Sequence, residues 1–282
     1  MKARKNTGYT TFVYAVLICV AIIFILPVLW TLLNSLKIEK ELNDAGGFMF
    51  WPKTWTLTNY VKALNPADVR YPIVSWFLTS VMVSSIHTVL AVIIFSMSAY
   101  AYAKLKFKGR NFIFLFMLFF ASFPAIANIV PLYKIMTIFK WVNSPIALIL
   151  PGLSGMFNIF LIRQFMYAIP DSLIEAAKID GSSEARTFIY IIIPMCKPIL
   201  VAVGLFSFTG IWNDFLWPSI IINDLSKLTL TAGLQLATSS LASHVPQLSS
   251  LAIISIAPIF ILFLFTQKYF MNGVSLSAGI KE

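Results

Sequence analysis

Charge is scarce in this chain. Only 11% of its 282 residues are charged, while 59% are hydrophobic. A soluble domain averages about 25% charged and about 45–50% apolar residues. The shortage excludes an ordinary soluble domain and leaves a chain that crosses a membrane several times. Cysteine is nearly missing too: Cys19 lies inside an apolar run and Cys196 beside Pro194. Two such residues make neither a disulfide framework nor a metal site. Acid is scarcer than base, with 11 Asp and Glu against 21 Lys and Arg, for a formal charge of +10. The basic residues flank apolar runs and form no patch with interleaved aromatics, so nucleic acid is excluded as a partner. They read instead as topology signals and contacts to anionic membrane lipid. Enzyme signatures are absent as well. There is no Gly-x-x-x-x-Gly-Lys-Ser/Thr phosphate loop, no His-Glu-x-x-His and no Gly-x-Ser-x-Gly. An intramembrane protease built on Ser207 and Asp214 lacks a second catalytic partner. No residue is therefore assigned a catalytic role.

The apolar runs are what the chain has in abundance. The first, Phe12 to Leu33, is about the ~20 residues a span needs and longer than a signal-peptide core. It reads as an uncleaved helix kinked at Pro27. Further spans read as Ile73 to Tyr102, Phe112 to Val130, Ser144 to Phe165, Ile199 to Ile222 and Leu248 to Thr266. The third is uniformly apolar from Phe112 to Phe120, a lipid-facing pattern. Its second half holds Pro124 and Asn128, with Pro131 just beyond, and is expected to bend. Pro131 to Asn143 reads as a short amphipathic connection, and Asn223 to Gln247 as a polar loop. With the N-terminus inside, 13 of the 21 basic residues fall on the inner side, as the positive-inside rule requires. Both termini and the basic stretch Lys104 to Arg110 are then cytosolic.

One polar passage interrupts the apolar second half: Pro170-Asp171-Ser172-Leu173-Ile174-Glu175-Ala176-Ala177-Lys178-Ile179-Asp180-Gly181, running on to Ile193-Pro194. The spacing of Ser172 and Glu175 predicts a capping box at the start of a helix. Gly181 can adopt the left-handed conformation that ends it. Ser182 or Ser183 can cap a second helix, with Glu184 in its first turn, where the helix dipole favours a negative charge. Pro194 ends or kinks that helix. The passage reads as a helix-turn-helix at a membrane surface, with two small alanines allowing close approach of another surface.

Glu-Ala-Ala, three residues, Gly, nine residues and Ile-x-Ile-Pro resembles the EAA loop of ABC importer permeases. Ile193 stands where that pattern prefers Leu. Flanking segments extend the likeness: Arg163-Gln164-Phe165, Ile169-Pro170, Ile211-Trp212-Asn213-Asp214-Phe215-Leu216-Trp217-Pro218 and Gln267-Lys268-Tyr269-Phe270. Together they resemble the maltose-type second permease subunit of carbohydrate importers. The resemblance implies an all-α polytopic membrane protein with six transmembrane helices and a cytosolic EAA coupling helix. It implies one permease domain over residues 1–282, with a core at 73–268, the EAA loop at 170–194 and a tail at 267–282. Glu175, Ala176, Ala177, Asp180 and Gly181 would carry ATPase coupling. Partners would be a second homologous permease, two ATP-binding subunits and an extracytoplasmic solute-binding protein in the bacterial cytoplasmic membrane. ATP would be bound by the partner subunits, with no cofactor in this chain. The tail, Gly273-Val274-Ser275-Leu276-Ser277-Ala278-Gly279, departs from the family's shorter Gly-Leu-Thr-Ala-Gly ending. An ABC permease for another solute and a carrier or channel without ATPase partners are the alternatives. A carrier should show an internal repeat with paired broken helices, and none stands out.

Two polar stripes are candidates for the substrate path. Ser80, Ser84, His87, Ala91 and Ser98 share one face of the second span. Small residues there also suit helix packing in lipid, so lining and packing both stand for this face. Ser207, Gly210 and Asp214 share a face of the fifth span, beside Trp212 and Asn213. Intramembrane acids usually face a cavity or a partner, and an aromatic beside polar hydrogen-bonding groups suits a sugar. A purely structural acid at Asp214 is the other reading.

Overall fold

A computed structural model describes residues 7–44 and 46–279. The described residues contain helices and no strand. Three helices are long and apolar enough to cross a membrane, and three bent helix pairs pass the same test when each pair is counted as one span. By length and composition this gives up to six spans. The third continues as helix to Ile138, into the stretch read as a connection, and the fifth is Glu184–Met195 with Lys197–Asn213 rather than Ile199 to Ile222. The side chains beyond Tyr269 and the whole of residues 280–282 lie outside the described residues, while the backbone of the tail continues the helix Val245–Gly279.

The chain falls into two compact units. The first comprises residues up to Val69 together with Leu236–Ala257. It contains α1 (Thr7–Ser35), which continues through Pro27 as one helix. The residues after α1 fold back on its end. Lys37 Nζ donates to Asn34 Oδ1 at 2.6 Å and to the Met49 carbonyl, and lies over the Trp30 ring at 4.7 Å. The Asn59 amide donates to the carbonyls of Ser35 and Lys37, both at 2.9 Å.

The second unit, Arg70–Gln235 with Pro258 onward, is built on α2 (Ile73–Lys104). No Pro or Gly interrupts this helix. The other spanning elements wholly within this unit are broken. α3 (Arg110–Ala121) is followed by a 3-10 turn and α4 (Ile129–Ile138), with a 91° bend at the break that holds Pro124. Ser144 and Pro145 open a short helix, and a 47° bend precedes α5 (Met156–Tyr167). The last apolar helix wholly within the unit, Lys197–Asn213, meets the residues before it at 81° and stops at Asp214. The outward face of α3 is aromatic and only Phe114 is buried among its residues. This matches the lipid-facing pattern.

Most of the stripe on α2 is covered within the chain, with Ser98 half-buried. Ser80, Ser84, His87 and Ala91 are buried, and Phe95, Ala99 and Ala103 continue the row. An added Cβ at Gly204 would stand 3.6 Å from Val92, in ordinary contact. The core cluster runs from Ala91 and Phe95 through Ile159, Ile162 and Met166 to Ile192 and Val203.

The loop expected over Asn223 to Gln247 is in large part helical, from Leu230 to Leu241. Its first N–H is satisfied from far along the chain: Leu230 N donates to Ser80 Oγ at 2.7 Å. Local Thr, Gly and Ser content reads as loop, and the cap that offsets it comes from α2. Gly233 in this helix lies against the fully buried Trp76, and an added Cβ would collide with the indole ring. Trp76 cannot yield easily, since its Nε1 donates to Leu225 O at 2.6 Å. Gly233→Ala is therefore expected to destabilise by roughly 1–3 kcal/mol through overpacking, despite the better helix propensity of Ala. Thermal unfolding in detergent checks this, and an unchanged or higher Tm contradicts it.

Candidate functional site

The EAA passage forms a helical hairpin. Pro170 (φ −59°, ψ 134°) leads into α6 (Asp171–Ile179). The helix starts one residue before the expected cap, and no side chain caps it. The predicted Ser172–Glu175 capping box is thus absent. Pro170 sets the entry, and the Asp171 carboxylate is held from outside. Lys104 Nζ donates to Asp171 Oδ1 and to Ile169 O, both at 2.6 Å. The bond from the Lys104 ammonium keeps the Asp171 carboxyl below its usual range. The pair therefore persists at neutral pH and is lost only as pH falls through that lowered value.

The C-terminus of α6 is as expected. Gly181 has φ +77°. Ser182 N donates to Ala177 O at 2.9 Å and Gly181 N to Lys178 O at 3.0 Å. These two bonds make a complete Schellman motif. Of the two possible caps, Ser183 takes the role: its Oγ accepts from Arg186 N at 3.3 Å. The second arm, α7 (Glu184–Thr187), passes into a π-type turn at Phe188–Ile192, just before Pro194. Pro194 offers no N–H for regular helix bonding. The 81° bend at Cys196 then starts α8 (Lys197–Asn213).

The two faces of α6 differ. Ile174 and Ala177 turn inward, whereas Glu175, Ala176 and Asp180 are exposed. Leu173, Ala176 and Ile179 share an outward face, and Ile179 is 86% exposed. The motif marks the alanines but not Leu173 or Ile179, although the spacing of three from Leu173 through Ala176 to Ile179 marks the stripe. The anchors on α2 carry no such local signal, and Lys104 reads in the sequence only as a topology charge. Tyr100 Oη donates to Glu184 Oε2 at 2.8 Å, and Lys178 Nζ pairs with Glu184 Oε1 at 2.6 Å. Arg163 completes this end of the bundle, over the Phe114 ring at 3.9 Å and donating to Tyr102 O at 3.2 Å.

The candidate path residues do not gather in one place. Trp212 is fully buried, stacked on Phe208 at 5.5 Å with its carbonyl accepting from Thr231. Ser207 is buried, while Gly210 and Asn213 are exposed. His87 is buried, with Nδ1 2.8 Å from Ile149 O and its ring against Gly152. Asp214 has two placements at once. Its Oδ1 accepts from Leu216 N at 3.1 Å and Trp217 N at 3.3 Å, capping a short helix. It also borders a cavity of about 460 Å³ with Asn128, Ser154, Ile211 and Trp217. Trp217 holds its ring in place by donating to Ala147 O at 2.8 Å. Asn128, Ser154 and Trp217 had no periodic signal, because breaks in three spans bring them together.

Apolar spans with an exposed hairpin clamped to a bundle end describe a polytopic membrane protein. The chain belongs to the binding-protein-dependent transport system inner membrane component family, which matches residues 92–275. It is 34% identical to the arabinooligosaccharides transport system permease protein of Halalkalibacterium halodurans, over 93% of each chain. It is 30% identical to the diacetylchitobiose uptake system permease protein of Streptomyces coelicolor, over 97% of this chain and 90% of that one. A bacterial ABC transporter involved in the import of the acidic polysaccharide alginate has a chain of the same fold. That chain overlays with TM-score 0.81, covering 96% of this chain and 99% of its own, at 20% identity.

Proposed function

We propose that the chain is a permease subunit of an ATP-driven importer that moves a carbohydrate into the cytosol. The observation that carries the coupling role is the outward stripe of Leu173, Ala176 and Ile179 on a hairpin anchored to the bundle. Such a stripe in water is unfavourable unless a partner covers it, and an ATP-binding subunit is that partner. Glu175 and Asp180 lie exposed beside the stripe, and Gly181 sets the hairpin's turn. A second permease, a second ATP-binding subunit and an extracytoplasmic binding protein complete the assembly. The saccharide reading rests on the relatives' names and on the cavity chemistry: one indole, Trp217, beside Asn128, Ser154 and Asp214. Both termini, the Lys104–Arg110 stretch and the hairpin lie in the cytosol, by the basic-residue bias.

The tagged chain, extracted from native membranes in mild detergent, should copurify with an ATP-binding subunit and a homologous permease. Single cysteines at Lys108 and Lys227 should label from the cytosolic and outer sides respectively. Isolation of the chain without any ATP-binding protein, or labelling of both positions from one side, contradicts this reading.

A further inference from the structure

The hairpin is covalently joined to α5 and α8, yet its firmest attachments are to α2. Lys104 holds the start of the first arm through Ile169 O and Asp171. Tyr100, one turn earlier, holds the second arm through Glu184. Lys178 closes the arms on each other through the same carboxylate. Three polar contacts thus make the hairpin and the end of α2 one piece. Lys104 is the firmest of them, with its side chain 4% exposed.

At its other end α2 holds a second segment just as closely. Ser75 Oγ donates to Ser226 O and Trp76 Nε1 to Leu225 O, each at 2.6 Å. Ser80 Oγ accepts from Leu230 N, and Trp76 packs on Gly233. The attachments lie near the two ends of α2, which runs 32 residues in all without a break, about 48 Å at 1.5 Å per residue. That exceeds the ~30 Å hydrocarbon core. The covalent routes out of the hairpin are less direct. The path into α8 passes a π-type turn and an 81° bend, and α5, followed back from the hairpin, meets a 47° bend at its start. A bent, hinged element absorbs displacement, whereas a straight hydrogen-bonded helix carries it along its axis.

We propose that Tyr100 and Lys104 are positioning residues that clamp both hairpin arms to α2, so that hairpin movement is carried along α2 to the segment Leu225–Gly233. The inference rests on the reading of the hairpin as an ATPase contact and assigns the route the signal takes from there.

The test uses the whole transporter complex in liposomes. Cys19 is replaced by Ser, since it is exposed, and Cys196 is left in place because it is buried. Lys227→Cys, exposed on the far segment, reports its accessibility to a membrane-impermeant maleimide. A non-hydrolysable ATP analogue should change the labelling rate at this cysteine. Lys104→Met should shrink that nucleotide-dependent change by about two- to thirtyfold, the span of coupling effects seen for network residues. The ATP-binding subunits should still copurify. Lys104→Arg should restore much of the change, and Tyr100→Phe should lose a smaller part. A merely structural lysine lowers the yield or Tm of the complex and leaves the nucleotide response intact. An undiminished response in Lys104→Met and Tyr100→Phe overturns the proposal while leaving the docking reading standing. The proposal also falls if nucleotide changes nothing at this cysteine in the otherwise unsubstituted complex. If the ATP-binding subunits are absent from that complex, the docking reading fails and the proposal fails with it.

Discussion

Gly181→Val should leave the chain inserted and folded but cut its hold on the ATP-binding subunit by about 5- to 30-fold. The glycine sits at φ +77°, where a β-branched residue is strained. The cost is about 1–2 kcal/mol, and about 1.4 kcal/mol is a factor of ten in an equilibrium. Crowding plays no part, because an added Cβ would meet nothing within 4 Å. The strain is relieved by unwinding the turn, which breaks the Ser182–Ala177 and Gly181–Lys178 bonds. Once that turn opens, α6 no longer holds a fixed angle to α7, and its outward face leaves the docking orientation. Gly181→Asn should bind far better than Gly181→Val, since Asn tolerates this conformation. The amount of ATP-binding subunit retained on each purified variant measures the effect. Equal retention for Val and Asn contradicts the argument.

Ile179→Glu should have the larger effect on association and almost none on folding. The side chain is 86% exposed, so its own fold gains little from it. Fully covering an isoleucine contributes about 1.5–3 kcal/mol, and a charge buried at a contact without a partner costs more. Association should fall by roughly thirtyfold or more, in the range of interface hot spots. The Tm of the chain alone should not move. Leu173→Glu should follow with a smaller loss, since Leu173 is already half covered. Full-strength association by Ile179→Glu removes the stripe as the contact.

The sequence marks the elements whose cause is local. The apolar runs mark the membrane-crossing helices and bent pairs, Pro124 marks the bend after Ala121, and Gly181 with Ser183 marks the hairpin turn. What escaped is what long-range contacts decide. The capping box at Ser172 has the right spacing, but Pro170 and the Lys104 bond to Asp171 start the helix earlier. The helix from Leu230 is hidden because its cap, Ser80, is 150 residues away. Trp212 and Trp217 are indistinguishable by composition. The break of the span at Asp214 buries the first against Phe208 and turns the second to the cavity. Residue type marks candidates in such a stretch, and only the backbone break assigns them.

The most direct test of the coupling claim is a photo-crosslinking residue placed at Ile179 in the assembled complex, with Phe116 on the outward face of α3 as the control. The account predicts an adduct with the ATP-binding subunit from Ile179 and adducts only with lipid from Phe116. Adducts only with lipid from Ile179, in a complex that still hydrolyses ATP, would contradict it.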